Sequence, residues 1–298
     1  MGTQRKLGAH GFSPGLLRQT TAMSTIEDNV RQGRLAEALA ELQAAIRRAP
    51  AEPKYRVLLF QLLCVMGDWE RAKTQLKVVG ELDAQALPMV QTYGTALTCE
   101  ELRAEVFAGK RTPLLFGEPA RWAALLVQSL REAAQGRAAE ANALHTQAFD
   151  EAPASTGKID GQAFAWLADA DPRLGPMLEA IVDGKYYWMP FSKLSALRIE
   201  KPADLRDLAW VPAYLTLSNG GEIVALIPTR YPGSEASADP AIRMARKTEW
   251  IVGVDGTSTG LGQRMLAPDQ GDHALLEVRS IAFDAPSEPV SQTASDHG

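Results

Sequence analysis

The chain has 298 residues, of which 46% are hydrophobic and 22% charged, and its net charge is -5. This composition is typical of a globular protein with one large or two ordinary domains. The acidic balance argues against a nucleic-acid-binding protein, and the absence of a run of about 18 apolar residues argues against a membrane span. The two cysteines, Cys64 and Cys99, do not suggest a disulfide framework and fit a reducing cytoplasm.

The first 22 residues contain basic side chains and no acidic ones, a composition that could imitate an organellar transit peptide. Met23 is followed by Ser24 and Thr25, either of which could cap the start of a helix. We therefore interpret residues 1–22 as a disordered leader or the product of a mis-called start, and expect the folded chain to begin at Met23.

Two early segments share three landmarks at one offset of 34 residues. The landmarks are Gly33, Ala38 and Leu42, then Gly67, Ala72 and Leu76. This interval is that of the tetratricopeptide repeat, a helix–turn–helix unit that stacks into a solenoid. Glycine would close each turn, and the small alanine would let paired helices approach closely. Solenoids of this kind mostly bind other polypeptides on an extended surface.

A third copy is predicted around Gly136, Ala141 and Ala148. The intervening copy near 101–107 has lost its glycine and is followed by an insertion at 109–119. We predict a tetratricopeptide-like helical repeat domain over residues 23–155. An irregular helical bundle with coincidental spacing is the alternative, because three good repeats are usually needed for a stable stack.

The pattern changes at the Pro-, Ser- and Gly-containing stretch Ala152–Gly157, the best candidate for a domain boundary. Beyond it we predict a short helix over Leu174–Val182 and a mostly antiparallel β domain over 156–283. Strands are predicted at Tyr186–Phe191, Trp210–Leu217, Glu222–Pro228, Glu249–Val254 and His273–Phe283. Residues 284–298 are interpreted as a disordered tail. The predicted fold class is α+β, with the helical repeats first and the smaller β domain second.

Two glycine-containing stretches partly resemble phosphate-binding loops. Thr156-Gly157-Lys158 lacks the glycine and the hydroxyl residue of a phosphate loop, because Ala152 and Ile159 occupy those positions. The Gly-rich run 253–262 has no strand-to-helix context, so we interpret it as a flexible connection between strands. Neither stretch predicts a cofactor site.

Other chemistry is poorly supported. No histidine or cysteine pair has metal-ligand spacing, and Cys64 and Cys99 are expected to be buried and inert. Asp169, Asp171 and Asp183 could act as paired carboxylates, but the Asp-Pro and Asp-Gly dipeptides favour turns. We predict no catalytic, cofactor-binding or metal-binding residue.

The most unusual local feature is aromatic clustering near Tyr187, Trp188 and Phe191. Because neighbouring strand residues point to opposite faces, an aromatic strand covered on one face only would expose an apolar patch. Arg230 and Tyr231 are predicted to lie in an exposed loop with side chains of the type enriched at interface hot spots. These five residues are the candidate partner-binding site, and packing in the core or between domains is the alternative.

Several strings together resemble the ImpE/TagJ (SciE-type) family of type VI secretion system accessory proteins. The more specific ones are Gly184–Phe191 and Ile227–Ser234, and the repeat segments 33–39 and 67–72 also fit. The resemblance covers roughly residues 24–283.

The resemblance implies a cytoplasmic, non-enzymatic scaffold of a Gram-negative bacterium. Its implied partners are the small sheath subunit and the AAA+ ATPase that recycles the sheath, with no nucleic acid, membrane or cofactor. One alternative is a nucleotide- or small-molecule-handling enzyme that uses the Gly-rich run with Arg230, Arg243 or Arg246. Another is a regulator that binds peptides outside secretion.

Overall fold

The computed structural model describes residues 14–253 and 256–285. Seven helices fill the N-terminal half of this part of the chain. They are α1 (Pro14–Arg31), α2 (Leu35–Arg48), α3 (Pro53–Met66), α4 (Trp69–Leu82), α5 (Leu87–Phe107), α6 (Arg121–Ala134) and α7 (Ala138–Glu151). A single turn of helix, α8 (Pro240–Arg243), follows in the second half. No helix among the described residues is long and apolar enough to cross a membrane.

Glycines close three of the helix–helix turns, as the repeat pattern predicts. Gly33, Gly67 and Gly136 have φ angles of 74°, 75° and 76°, a left-handed conformation that side chains disfavour. Only two or three residues separate α1 from α2, α3 from α4 and α6 from α7. Such short connections make each pair antiparallel, so the tetratricopeptide-like helical hairpins are confirmed.

The start of the first helix differs from the prediction. Helix α1 begins at Pro14 and runs through Met23, so neither Ser24 nor Thr25 caps it. Ser24 and Thr25 have the side chains of helix caps, but both lie inside α1. Residues 1–13 of the predicted leader and 286–298 of the predicted tail lie outside the described residues.

The second half is mainly antiparallel β structure. Among the described residues, its largest sheet has nine strands in the order β1-β6-β5-β9-β8-β7-β14-β2-β3. The bounds of these strands are β1 (Leu114–Leu115), β2 (Gly157–Ile159), β3 (Gln162–Phe164), β5 (Met177–Val182), β6 (Lys185–Pro190), β7 (Leu194–Ile199), β8 (Trp210–Leu217), β9 (Glu222–Pro228) and β14 (Ser280–Phe283). The α+β fold class is confirmed.

Two small sheets complete the β region in the part of the chain that the structure describes. One has the order β13-β12-β4, with β4 (Leu167–Asp169), β12 (Met265–Pro268) and β13 (His273–Ala274). The other is an antiparallel hairpin of β10 (Thr248–Val252) and β11 (Ser258–Gly262). The Gly-rich run therefore forms the end of this hairpin and strand β11, with residues 254–255 outside the described residues.

Two predicted elements are wrong. Leu174–Val182 is not a helix, because Met177–Val182 forms strand β5 between β6 and β9. All six residues of β5 are buried, and a fully buried apolar run shows neither helical nor strand periodicity. The predicted strand His273–Phe283 is split into β13 and β14, which join different sheets.

The helices and the sheet share a hydrophobic core. Trp210 on β8 lies with its ring centroid 5.8 Å from Trp69 on α4 and 6.2 Å from Tyr93 on α5. Strand β1, from the insertion between α5 and α6, pairs in parallel with β6 at the edge of the large sheet. Burying a large apolar side chain contributes roughly 1.5–3 kcal/mol, so this junction is a substantial part of the stability.

Candidate partner-binding surfaces

The structure corrects the exposure of most predicted site residues. Trp188, Phe191 and Tyr231 are fully buried and Arg230 is only 5% exposed, so the expectation that these four side chains are open to a partner is wrong. They are buried because other parts of the chain pack over them. Tyr187 is half-buried, and its contact with a partner stays a prediction.

Other aromatic side chains of the chain pack against Trp188 and Phe191. Phe107 of α5 packs over Trp188, with the ring centroids 5.7 Å apart. Phe191 belongs to a second buried apolar cluster, and its ring centroid lies 5.9 Å from that of Phe283. The aromatic string therefore belongs to packing within the chain, which was the alternative interpretation of the sequence.

Arg230 completes the end of a helix. Its guanidinium donates hydrogen bonds to the carbonyl oxygens of Val65 at 2.7 Å and Cys64 at 3.1 Å, in the last turn of α3. It also donates to the carbonyl of Arg243. A cation at a helix C-terminus satisfies orphan carbonyls and complements the helix dipole. The burial of Arg230 lowers its pKa, but a guanidinium remains charged.

A network of buried charges joins the helices to the β region, with Glu179 of β5 at its centre. Arg103 of α5 donates to the two carboxylate oxygens of Glu179 at 2.7 Å and 3.0 Å. Arg264 and the Tyr186 hydroxyl also donate to this carboxylate. Burial by itself raises the pKa of Glu179, but Arg103 and Arg264 outweigh it and lower the pKa to about 2.

The network continues at Asp169 of β4. Arg264 donates to Asp169 at 2.8 Å, and the hydroxyl of Tyr231 donates to its other oxygen at 3.1 Å. The backbone N–H of Asp171 adds a third hydrogen bond at 2.9 Å. Burial raises the pKa of Asp169 to about 7, although Arg264 acts in the opposite direction.

A further carboxylate anchors the helical side. Glu100 of α5 accepts a hydrogen bond from the Trp210 indole at 2.7 Å. It also forms an ion pair with Arg103 at 3.3 Å. These groups are mutually paired and shielded from solvent, an arrangement that fixes the relative position of α5 and the sheet. The sequence signal for this network was a lone acid inside an apolar run, Glu179 within β5.

The residues considered for phosphate or metal chemistry are not assembled for it. Gly260 packs against the ring of Tyr231, and Arg246 donates to the carbonyl of Arg31 at 2.7 Å. Within residues 14–253 and 256–285, no group of three or more His, Cys, Asp or Glu could hold a metal ion. Both cysteines are buried free thiols, and burial raises the pKa of Cys99 to about 11.

The helical region carries an apolar groove between α4 and α5, which we call the α4–α5 groove. It has a volume of about 460 Å³. Its lining residues are Leu76, Gly80, Leu87, Val90 and Gly94, with Lys73, Lys77 and Glu81 also present. Leu87 is 49% exposed at this groove, although it is a large apolar side chain. An apolar groove bordered by charged side chains suits the apolar face of an amphipathic helix.

Two parts of the chain match known families. Residues 30–92 match the tetratricopeptide repeat family, and residues 161–282 match the family described as ImpE protein. The crystal structure of protein VPA1032 from Vibrio parahaemolyticus has the same fold, with a TM-score of 0.80 at 22% identity. That similarity covers 88% of this chain and 98% of the other.

One curated relative is similar over most of its length. The chain is 54% identical over 258 residues to the type VI secretion system accessory component TagJ of Pseudomonas aeruginosa. The alignment covers 87% of this chain and 90% of the relative. The chain therefore belongs to the ImpE/TagJ family of type VI secretion system accessory proteins.

Proposed function

We propose that this protein is a non-enzymatic adaptor of a bacterial type VI secretion system, acting in the cytoplasm. It binds the small sheath subunit and links that subunit to the AAA+ ATPase that recycles the sheath. The 54% identity to a relative named as an accessory component of this system is the observation that carries the proposal. The two partners follow from the family resemblance.

The α4–α5 groove is the proposed contact for the sheath subunit. Gly80 and Gly94 line it without side chains, and a Cβ at Gly80 would lie 3.4 Å from Val90, which is an ordinary van der Waals contact. The absence of side chains at these two positions leaves room for a partner helix. Leu87 would supply the apolar anchor, and Lys77 would face acidic groups of the partner.

A binding experiment with matched variants tests this proposal. Calorimetry would measure the affinity of the full chain for a synthetic peptide from the N-terminal segment of the small sheath subunit. Leu87→Glu places a carboxylate in the groove and should weaken binding at least about tenfold, since tenfold is about 1.4 kcal/mol. Leu82→Glu is the control, because Leu82 is 40% exposed on α4 but does not line the groove.

The outcomes separate cleanly. Binding that Leu87→Glu weakens and Leu82→Glu leaves unchanged would support both the partner and the groove. Equal binding by the two variants would place the contact elsewhere. No binding by the wild-type chain would remove the small sheath subunit as the proposed partner.

A further inference from the structure

Strand β10 has an open edge. It pairs with β11 on one side, and within the described residues it has no strand neighbour on the other. The backbone N–H of Gly253 donates to the carbonyl of Thr257, and that of Gln263 donates to the carbonyl of Lys247. In an antiparallel ladder the bonded residues alternate, so Trp250 and Val252 direct their N–H and C=O groups away from β11.

The side chains of this edge are unusually exposed for apolar residues. Ile251 is 52% exposed and Val252 is 69% exposed. The opposite edge of the hairpin is fastened to the body of the protein, because Gly260 donates to the carboxylate of Asp171 at 2.9 Å and Gly262 donates to the hydroxyl of Ser234 at 2.8 Å. The hairpin is thus held to the protein through β11, and the backbone polar groups of β10 remain at its open edge.

A cavity lies against one face of the same hairpin. Its volume is about 220 Å³, and it lies between the α6–α7 hairpin and the β10–β11 hairpin. Leu130, Ala133 and Ala141 line the helical side, whereas Ile251 and Thr259 line the strand side. Ile251 and Thr259 are directly opposite each other in the hairpin and therefore share a face.

We propose that β10 is a docking strand for an extended segment of a partner protein, which adds to its open edge and places one apolar side chain in this cavity. An added extended backbone can pair with all of these alternating outward N–H and C=O groups at once. A residue of the added strand opposite Ile251 would form a non-hydrogen-bonded pair, with Cα atoms about 4.5 Å apart. Its side chain would lie on the cavity face.

In this recognition mode, different contacts determine the affinity and the specificity of binding. Main-chain hydrogen bonds along the strand supply affinity, and the cavity selects the side chain of one residue of the segment. Leu130, Ala133 and Ala141 offer apolar groups that favour an apolar residue, and Ser129, Asn142 and His145 also line the cavity. The inference goes beyond the adaptor proposal and does not depend on the α4–α5 groove.

The test uses the full chain and randomised heptapeptides displayed on phage. Peptides recovered on the wild-type protein are synthesised, and their affinities are measured by fluorescence polarisation. Val252→Pro removes an outward N–H but leaves the bonds to β11, which come from the neighbouring positions. It should weaken binding at least tenfold, whereas Val252→Ala keeps the N–H and should change binding much less.

The cavity has its own matched pair of variants. Ala133→Trp fills the cavity mouth and should weaken binding at least tenfold. Ala124→Trp, at an exposed position of the same helix outside the cavity, should leave binding unchanged. Methylation of alternate backbone nitrogens in the peptide tests the strand contact on the wild-type protein itself, so a variant that fails to fold does not decide the matter.

The expected result is an enriched peptide with an apolar residue at one fixed position that loses affinity on methylation of alternate nitrogens. Three results would overturn the proposal: no enriched peptide, a recovered peptide whose affinity is insensitive to both Val252→Pro and methylation, or concentration-dependent dimerisation that Val252→Pro abolishes. The last result would assign the edge to a second copy of the chain.

Discussion

At the scale of single residues, Glu179 shows how a buried charge connects two parts of the fold. It lies on a fully buried strand, yet Arg103 of α5 and Arg264 compensate it from two directions. A buried ion pair adds little net stability compared with apolar packing, but removing one partner leaves an uncompensated charge. Loss of the Glu179 carboxylate would therefore weaken the attachment of α5 to the sheet.

Glu179→Gln should lower the free energy of unfolding by about 3–5 kcal/mol, because Arg103 and Arg264 would lose their shared counter-charge. Glu200→Gln is the control, since Glu200 forms an exposed pair with Arg198 and should cost less than about 1 kcal/mol. Urea unfolding of both variants measures the difference. Equal effects would show that the buried network is energetically unimportant.

Asp169 predicts a pH dependence. Its pKa is raised from 3.8 to about 7, so the folded protein binds this proton more tightly than the unfolded chain. The stabilisation by the protonated form is complete below about pH 4 and is lost as the pH rises to about 7. The free energy of unfolding of the wild type should therefore fall over this range relative to that of Asp169→Asn. Parallel pH profiles would contradict the shift.

The residues of the candidate site were the least predictable from the sequence. Trp188, Arg230 and Tyr231 have the side-chain types of an interface, but their exposure depends on what packs over them. Phe107 lies 81 positions before Trp188 in the chain and covers it in space. Sequence patterning records the chemistry of a side chain but not such distant contacts.

At the scale of elements, local signals defined some boundaries well. The bounds of β8 and β9 agree with the prediction, because strand-forming residues lie on both sides of the Asn-Gly-Gly turn at 219–221. Strand β5 was missed because burial on both faces removes its alternation. The start of α1 was missed because Ser24 and Thr25 resemble a cap although the helix continues upstream of them.

Gly260 is required where the β10–β11 hairpin crosses Tyr231. A Cβ at this position would lie 2.2 Å from the ring, so Gly260→Ala should displace the hairpin and destabilise the protein by about 1–3 kcal/mol. Gly94→Ala is the matched substitution, since its nearest contact would be 4.0 Å and the position lies inside α5. That variant should be more stable than the wild type by about 0.5–1 kcal/mol.

Thermal unfolding of the two variants, with hydrogen exchange over 248–262, distinguishes the effects. Faster exchange in this segment is expected for Gly260→Ala only. Unchanged exchange and stability in that variant would show that the close packing on Tyr231 can relax without consequence.

At the scale of the whole molecule, the helical and β regions are joined by packed side chains as well as by the connecting segment of the chain. Trp210 packs among residues of α4 and α5, and Glu100 binds its indole. The composition change near residue 155 predicted two domains, and the division at 23–155 and 156–283 stays a prediction. Helix α7 ends at Glu151 and β2 begins at Gly157, but the hydrophobic core is continuous between the helical and β regions.

The shared core predicts a single cooperative unfolding transition. Far-ultraviolet circular dichroism reports mainly on the helices, and tryptophan fluorescence includes the buried Trp188 and Trp210 at the junction. Both signals should change at one urea concentration, and Glu179→Gln should shift them together. Two separate transitions would indicate that the regions fold independently.

The adaptor role is tested most directly by asking whether this protein connects its two proposed partners. Sedimentation velocity with fluorescently labelled small sheath subunit would follow that subunit in mixtures with the AAA+ ATPase of the same secretion system. We predict that adding the full chain moves the labelled subunit into a faster species that contains all three proteins. Sedimentation of the labelled subunit that is the same with and without the chain, or displacement of the subunit by the ATPase, would contradict the account.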